Sequence, residues 1–343
     1  MNILGLTSQT SGCGYHRILI PLGFMDGIKG YVTNIITEDK VDGWDLVIYN
    51  RMCPYDNAWP ETREMLGFPK VVLDLDDYWR LPPNHMNYQH YEVHGERIEQ
   101  NIAQADMVTV TNKSLYDKVY PINNNVHIFN NAIPFGRNQF TEDKQHSDLV
   151  RIFWCGGVTH EPDIAMLRNP IRKLKVHADK IQMVLGGYTD TDEVSKWYWQ
   201  RMFSSFTAGG SLPWKKLHGT SATNYMAMYE HADIMVIPLE ESEWHACKSN
   251  LKILEAASKR IPCVVSNVAP YNQYPDCPVL WVNSQKDWFS HLNYLILNPE
   301  ARQELGNKLY EWAKENFSID KVNAGRFSAF TDLCKPPALL PVL

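Results

Sequence analysis

Short apolar runs that end at a proline, a glycine or a charge alternate along this chain with stretches of helical spacing. Ile234-Met235-Val236-Ile237 stops at Pro238, as a strand buried on both faces would. A helix is predicted over 249–259, with Leu251, Leu254 and Ser258 on one side and Ile253 and Ala257 flanking them. Arg260-Ile261-Pro262 ends it, and Cys263-Val264-Val265-Ser266 reads as a second buried strand. Strand, loop, helix, strand is one unit of a parallel sheet.

The same pattern predicts strands at 1–6, 45–50, 70–74, 106–111, 126–129, 150–154, 182–185 and 280–282. Helices are predicted at 97–104, 113–119, 225–231, 299–317 and 319–333. Residues 82–96, rich in histidine and aromatics, read as an irregular segment, and the polar stretch 139–148 reads as a linker. The aromatic-rich stretch 197–214 takes no clear element, and 336–343 reads as a loose tail. The class is therefore α/β, with two sheet-bearing domains at 1–140 and 149–317.

Composition changes this picture little. At 343 residues, with 44% hydrophobic and 21% charged, the chain matches a soluble globular protein with room for two domains. A net charge of −6 gives no global nucleic-acid footprint. Seven scattered cysteines without a Cys-x-x-Cys pair fit reduced thiols better than a disulfide frame or a zinc site. No apolar run approaches the ~20 residues of a membrane span, and no signal peptide opens the chain. The expectation is a cytoplasmic protein.

Candidate chemistry gathers at a few loops. Lys248, Ser249, Asn250 and Lys252 crowd a helix start, where unpaired N–H groups and the dipole favour an anion. Lys248 and Lys252 share a face, and Glu255 lies a turn deeper, suited to a ribose hydroxyl. A capped surface helix with an ordinary lysine–glutamate pair fits the spacing equally well. After the 150–154 strand, Gly156 and Gly157 admit a phosphate close to the backbone, Thr159 can donate to it, and His160 either touches the donor or packs. After the first strand, Gly12 and Gly14 open the backbone to a ligand and Arg17 adds polar reach. Asp74-x-Asp76 matches a divalent-cation pattern, but short acidic triplets at strand ends are common.

The order Pro238, Glu240-Glu241, Lys248-Ser249-Asn250, Lys252, Glu255-Ala256-Ala257, Pro262 to Ser266 resembles the C-terminal signature of retaining GT-B glycosyltransferases, the group 1 or family 4-like kind that use nucleotide sugars. Gly156-Gly157-Val158-Thr159-His160-Glu161-Pro162-Asp163 resembles the same relatives, which often read Gly-(Ser or Gly)-x-Thr-His-x-x-Asp. The resemblance implies two Rossmann-like domains facing across a cleft, with the last helix, 318–334, returning to the first. It implies a nucleoside diphosphate sugar as donor, UDP-sugar first, and no cofactor or metal. Lys248, Lys252, Asp76, Asp77 and His160 would then be catalytic. Gly12, Gly14, Arg17, Gly156, Gly157, Thr159, Ser249, Asn250 and Glu255 would bind the donor. The family pattern has a first glutamate eight residues before Glu255, and here Cys247 stands there.

Asp-Leu-Asp-Asp-Tyr-Trp at 74–79 and Gly-Cys-Gly-Tyr-His-Arg at 12–17 resemble glycosyltransferases carried by bacteriophages. Some of these modify hydroxymethylated pyrimidines of phage DNA, which places this protein in the host cytoplasm. For that acceptor, Tyr78, Trp79 and Tyr88 would line an aromatic pocket for a flipped base. A cell-surface glycan or lipid-linked acceptor, a nucleotide-sugar epimerase, a non-catalytic nucleotide-binding module and a GT-A-like metal enzyme are the alternatives.

Overall fold

The computed structural model describes residues 1–7, 12–36, 43–52 and 59–336. They divide into two compact units: residues 1–82 and 87–132 with the segment from Ile319 onward, and residues 83–86 with 133–318.

The first unit is built on six strands: β1 (Asn2–Leu6), β2 (Lys29–Thr33), β3 (Leu46–Asn50), β4 (Lys70–Leu75), β5 (Met107–Val110) and β6 (Val126–Ile128). They lie in the order β2-β1-β3-β4-β5-β6, and each neighbouring pair is parallel. The apolar side chains of β1, β3, β4 and β5 are buried, as strands covered on both faces require. Ile3, Leu46, Ile48, Val72 and Met107 pack with Ile18, Leu22 and Phe330. Phe330 comes from the C-terminal helix Ile319–Cys334, and Asn323 on that helix donates to the Pro21 carbonyl at 2.8 Å.

The second unit repeats the plan with β7 (Val150–Cys155), β8 (Ile181–Tyr188), β9 (Trp214–His218), β10 (Ile234–Ile237), β11 (Cys263–Ser266) and β12 (Leu280–Val282). The order is β12-β11-β10-β7-β8-β9, again parallel throughout. Ile152, Trp154, Met183 and Leu185 bury against Trp199, Met202 and Phe206 of the helix Glu193–Phe206.

Each sheet reverses its winding once, between β1 and β3 in the first and between β7 and β10 in the second. Where the order reverses, the loops leaving two adjacent strands part in opposite directions and leave a crevice at the strands' carboxyl ends. The loops after β7 and β10 carry the glycine pair and the lysine-rich helix start.

Several expectations need correction. The segment 82–96 is not irregular throughout, because a helix runs from Tyr88 to Gln104. The stretch 197–214 holds most of the helix Glu193–Phe206 and the first residue of β9. Residues 139–148 are no loose linker: Phe140 is fully buried, Gln139 donates to the Ala222 carbonyl at 2.8 Å, and the Gln145 N–H donates to the Glu230 carbonyl at 2.9 Å. Residues 133–140 accordingly group with the second unit. Nearly all of the tail 336–343, and residues 8–11 of the first loop, lie outside the described residues.

Candidate functional site

In the second unit, Trp154 and Cys155 end β7 buried, and the chain turns out through Gly156 and Gly157. A side chain on Gly156 would meet the Trp154 ring at 2.8 Å, whereas one on Gly157 would meet nothing within 4 Å. Gly156 is therefore needed for close packing, and Gly157 leaves open backbone at the crevice. Gly187, at the end of β8, has a φ of +89° and comes so near that a Cβ there would lie 2.5 Å from the Gly156 carbonyl oxygen. Thr159 and His160 follow in a single helical turn, both partly exposed.

His160 pairs through Nδ1 with Asp163 Oδ2 at 2.7 Å, and the other Asp163 oxygen accepts the Glu240 N–H at 2.8 Å. Asp163 thus ties the loop after β7 to the loop after β10. Burial pushes its carboxyl up, opposed by the nearby charges of His245, Lys248 and Lys252. The His245 ring, hydrogen-bonded with Ser242 at 2.9 Å, is pushed down to about 4 by burial, with Asp163 opposing.

The lysine-rich segment spans two short helices. Glu243–Ala246 is capped by Ser242, and Leu251–Ser258 begins after Asn250. Lys248 Nζ sits 4.1 Å from the Trp244 ring centroid, a cation–π contact that holds the ammonium. On its other side Trp244 packs 4.9 Å from the ring of His85. Ser249 is half-buried beside Lys248. Asn250 is buried, and its amide nitrogen has no hydrogen-bond partner among the described residues.

One turn deeper lies a buried charge network. Both Glu255 oxygens accept tyrosine hydroxyls, one from Tyr225 at 2.7 Å and the other from Tyr229. Burial raises the Glu255 carboxyl while these bonds and Lys252 oppose it. Burial lowers the Lys252 ammonium while Glu255 opposes it. Cys247, where the family pattern has glutamate, is fully buried and presents no acid to the crevice.

In the first unit the outcome is mixed. Arg17 is not a ligand-facing residue: it is 1% exposed, and its guanidinium clasps Asp74 through two bonds of 2.9 and 2.8 Å while donating to the Phe129 carbonyl and Asn131. A charge that deep must be paired, and the pair welds the segment after β1 to β4. Asp74 also accepts from Thr109 at 2.6 Å. Gly12 is exposed, but a side chain on Gly14 would strike Thr7 Oγ1 at 2.1 Å. Gly14 therefore makes room for Thr7.

Asp76 and Asp77 both face Arg51, at 2.9 and 3.0 Å. Burial alone would raise the Asp76 carboxyl, yet Arg51 and the bonds from Cys13 and Arg51 hold it at about 2. Trp79 is 2% exposed and donates its indole N–H to Glu99 at 3.0 Å, so it offers no stacking face. Tyr78 lies edge-on to Trp79 with Lys118 Nζ 5.2 Å from its ring, and the Tyr88 hydroxyl donates to Glu92 at 3.0 Å. These three rings do not form the base pocket expected of them.

Sequence reasoning reached Asp163 only as the last residue of the motif that begins at Gly156, with no role, and missed Tyr225, Tyr229, Trp244, His245 and Arg51. The Asp163 signal was present in its spacing from His160, three residues on. The tyrosines carried none, since a hydroxyl that meets a carboxylate across two elements leaves no local pattern.

Neither a protein-family model nor a curated protein matches the sequence. Solved structures do match in fold. Sucrose-phosphate synthase from Thermosynechococcus elongatus superposes with a TM-score of 0.72 at 12% identity, over 97% of this chain and 99% of that one. HepE from Anabaena, in complex with UDP-glucose, gives 0.68 at 10%, over 97% and 100%. A TarM variant from S. aureus gives 0.59 at 12%, over 84% and 55%. The chain thus spans about half the length of TarM and nearly all of the other two. Two parallel six-stranded sheets and these neighbours in structure show that the chain has the GT-B fold.

Proposed function

We propose that this protein transfers a sugar from a UDP-sugar to an acceptor hydroxyl, with retention at the anomeric carbon. The observation that carries the reading is the convergence at one switch point of the open Gly157 backbone, His160, the lysine-rich helix start and Glu255. A departing diphosphate needs positive charge and N–H donors where its own charge develops. Lys248 and Lys252 supply charge, the backbone at Gly157 and the side chains of Thr159, Ser249 and Asn250 supply donors, and Asp163 orients His160 toward the same place. The buried Asn250 amide lacks an acceptor among the described residues, and a bound phosphate oxygen would satisfy it. Glu255 would accept a ribose hydroxyl alongside its two tyrosines. Uridine is supported by the UDP and UDP-glucose complexes of HepE.

With the leaving-group charge on two lysines, the proposed reaction needs no divalent ion. Asp76, held ionised by Arg51, and Asp77, paired with the same guanidinium, are the carboxylates proposed to meet the acceptor hydroxyl. The proposed acceptor is a hydroxymethylated pyrimidine of DNA, a reading that rests on the resemblance.

The test is thermal stabilisation and turnover with UDP-sugars, with and without EDTA and with hydroxymethylated DNA or glycan acceptors. Wild type should be stabilised by UDP regardless of chelator. Lys248→Ala should lose at least a hundredfold in transfer while melting as wild type does. Full activity in that variant removes the diphosphate assignment. UDP binding without transfer or donor hydrolysis would favour the non-catalytic module, the reading to which buried Cys247 points.

A further inference from the structure

The free edge of the second sheet carries a feature that the transfer reading does not use. The helix Glu193–Phe206 covers β8 but stops short of the edge strand β9, leaving a groove of about 280 Å³ between them. Trp214 and Lys216 pair in register with Met183 and Leu185. They therefore stand on the face of the sheet that packs against the helix, yet both remain exposed. Tyr188, Lys196, Gln200 and Phe203 complete the walls.

The rings are held at fixed angles. Trp214 is 46% exposed and meets Phe203 edge-on, centroids 4.4 Å apart. Lys216 Nζ lies 3.6 Å from the centroid of Tyr188. Lys196 pairs with Glu193 at 2.7 Å, an exposed contact that a stronger anion displaces readily. Among the described residues that line the groove none is a carboxylate, and Glu193 meets Lys196 from outside it. Trp199, also in its wall, is 2% exposed, and its indole N–H has no acceptor among the described residues.

Among the described residues, the lining side chains are thus rich in hydrogen-bond donors and flat apolar faces and poor in acceptors, which are the Gln200 amide and the Tyr188 hydroxyl. A neutral sugar, whose hydroxyls donate as well as accept, would leave its own donors unmet. Aromatic rings joined by phosphates match both the stacking faces and the ammonium groups. We infer that this groove binds a segment of single-stranded nucleic acid, one base stacked against Trp214 and flanking phosphates on Lys216 and Lys196. The inference does not rest on the transfer reading, because it concerns binding at another place.

Fluorescence anisotropy of a labelled oligothymidylate with the full chain, in 50 and 200 mM salt, tests it. Wild type should bind saturably and more weakly at the higher salt. Trp214→Ala and Lys216→Glu should each weaken binding about tenfold or more, with melting temperature and the response to UDP unchanged. No binding at 50 mM salt, or variants that bind as wild type does, would overturn the inference. So would displacement of the oligonucleotide by neutral or acidic oligosaccharides at lower concentration than by unlabelled oligonucleotide, which would make the groove a glycan platform.

Discussion

His16 shows how a side chain chosen for one environment sets behaviour in another. Burial and the adjacent Arg17 push its ring down to about 3 from an ordinary 6.5. The folded chain therefore keeps His16 neutral where an unfolded chain would protonate it. Stability from this group is complete above pH 6.5 and is lost as the pH falls toward 3. His245, lowered to about 4, acts in the same direction down to its own value. Urea midpoints should thus fall between pH 7 and 5, with a slope of up to about 1.4 kcal/mol per pH unit for each histidine. His16→Gln should flatten that slope; a profile already flat in wild type would mean that both rings titrate normally. Arg17 next door teaches a related lesson. Its residue type suggested a ligand contact, but a guanidinium beside a buried carboxylate is worth more as a weld, and the sequence cannot show that Asp74, far along the chain, will be there.

At the ends of β7 and β8 the backbones approach so closely that a glycine is required, and Gly187 meets that requirement with both its missing Cβ and its positive φ. Gly187→Ala would place a carbon 2.5 Å from the Gly156 carbonyl oxygen in a left-handed conformation. We expect a loss of more than about 1–2 kcal/mol in stability and weaker UDP binding, because the shift passes straight into the Gly156-Gly157 turn. A variant that melts and binds as wild type does would remove this strand pair from the proposed site. Elements of this kind were legible where their burial was uniform: β10, β11 and the helix between them show as apolar runs with clear stops. β2 and β9 were not, because edge strands with exposed faces, such as Lys29-Gly30-Tyr31 and Trp214-Lys215-Lys216, carry no continuous apolar signal. The start of the Tyr88–Gln104 helix was hidden because Gln89, Glu92 and Glu96, and the apolar Val93 with them, all face solvent and leave no apolar period. The lysine-rich helix start could be read locally, whereas the tyrosine clasp on Glu255 could not.

The first unit is completed only by the end of the chain. The helix Ile319–Cys334 inserts Phe330 among Ile3, Ile18 and Leu22, and Arg326 reaches the Asn130 carbonyl at 3.5 Å. A chain ending at Ser318 should therefore expose this apolar patch and lose the cooperative melting of the first unit, while residues 133–318 keep theirs. Two separate transitions in the full chain collapsing to one in the truncated form would show it, and an unchanged melting profile would count against it. The two ends of that inner segment lie side by side: the Ile133 N–H donates to the Phe317 carbonyl at 3.0 Å, and Ile133 bridges Ser318. For the polymer this means that the first unit meets its long excursion as a loop already closed, whose entropy cost no longer grows with what the loop contains. Residues added within the inner segment should therefore cost the first unit little in chain entropy.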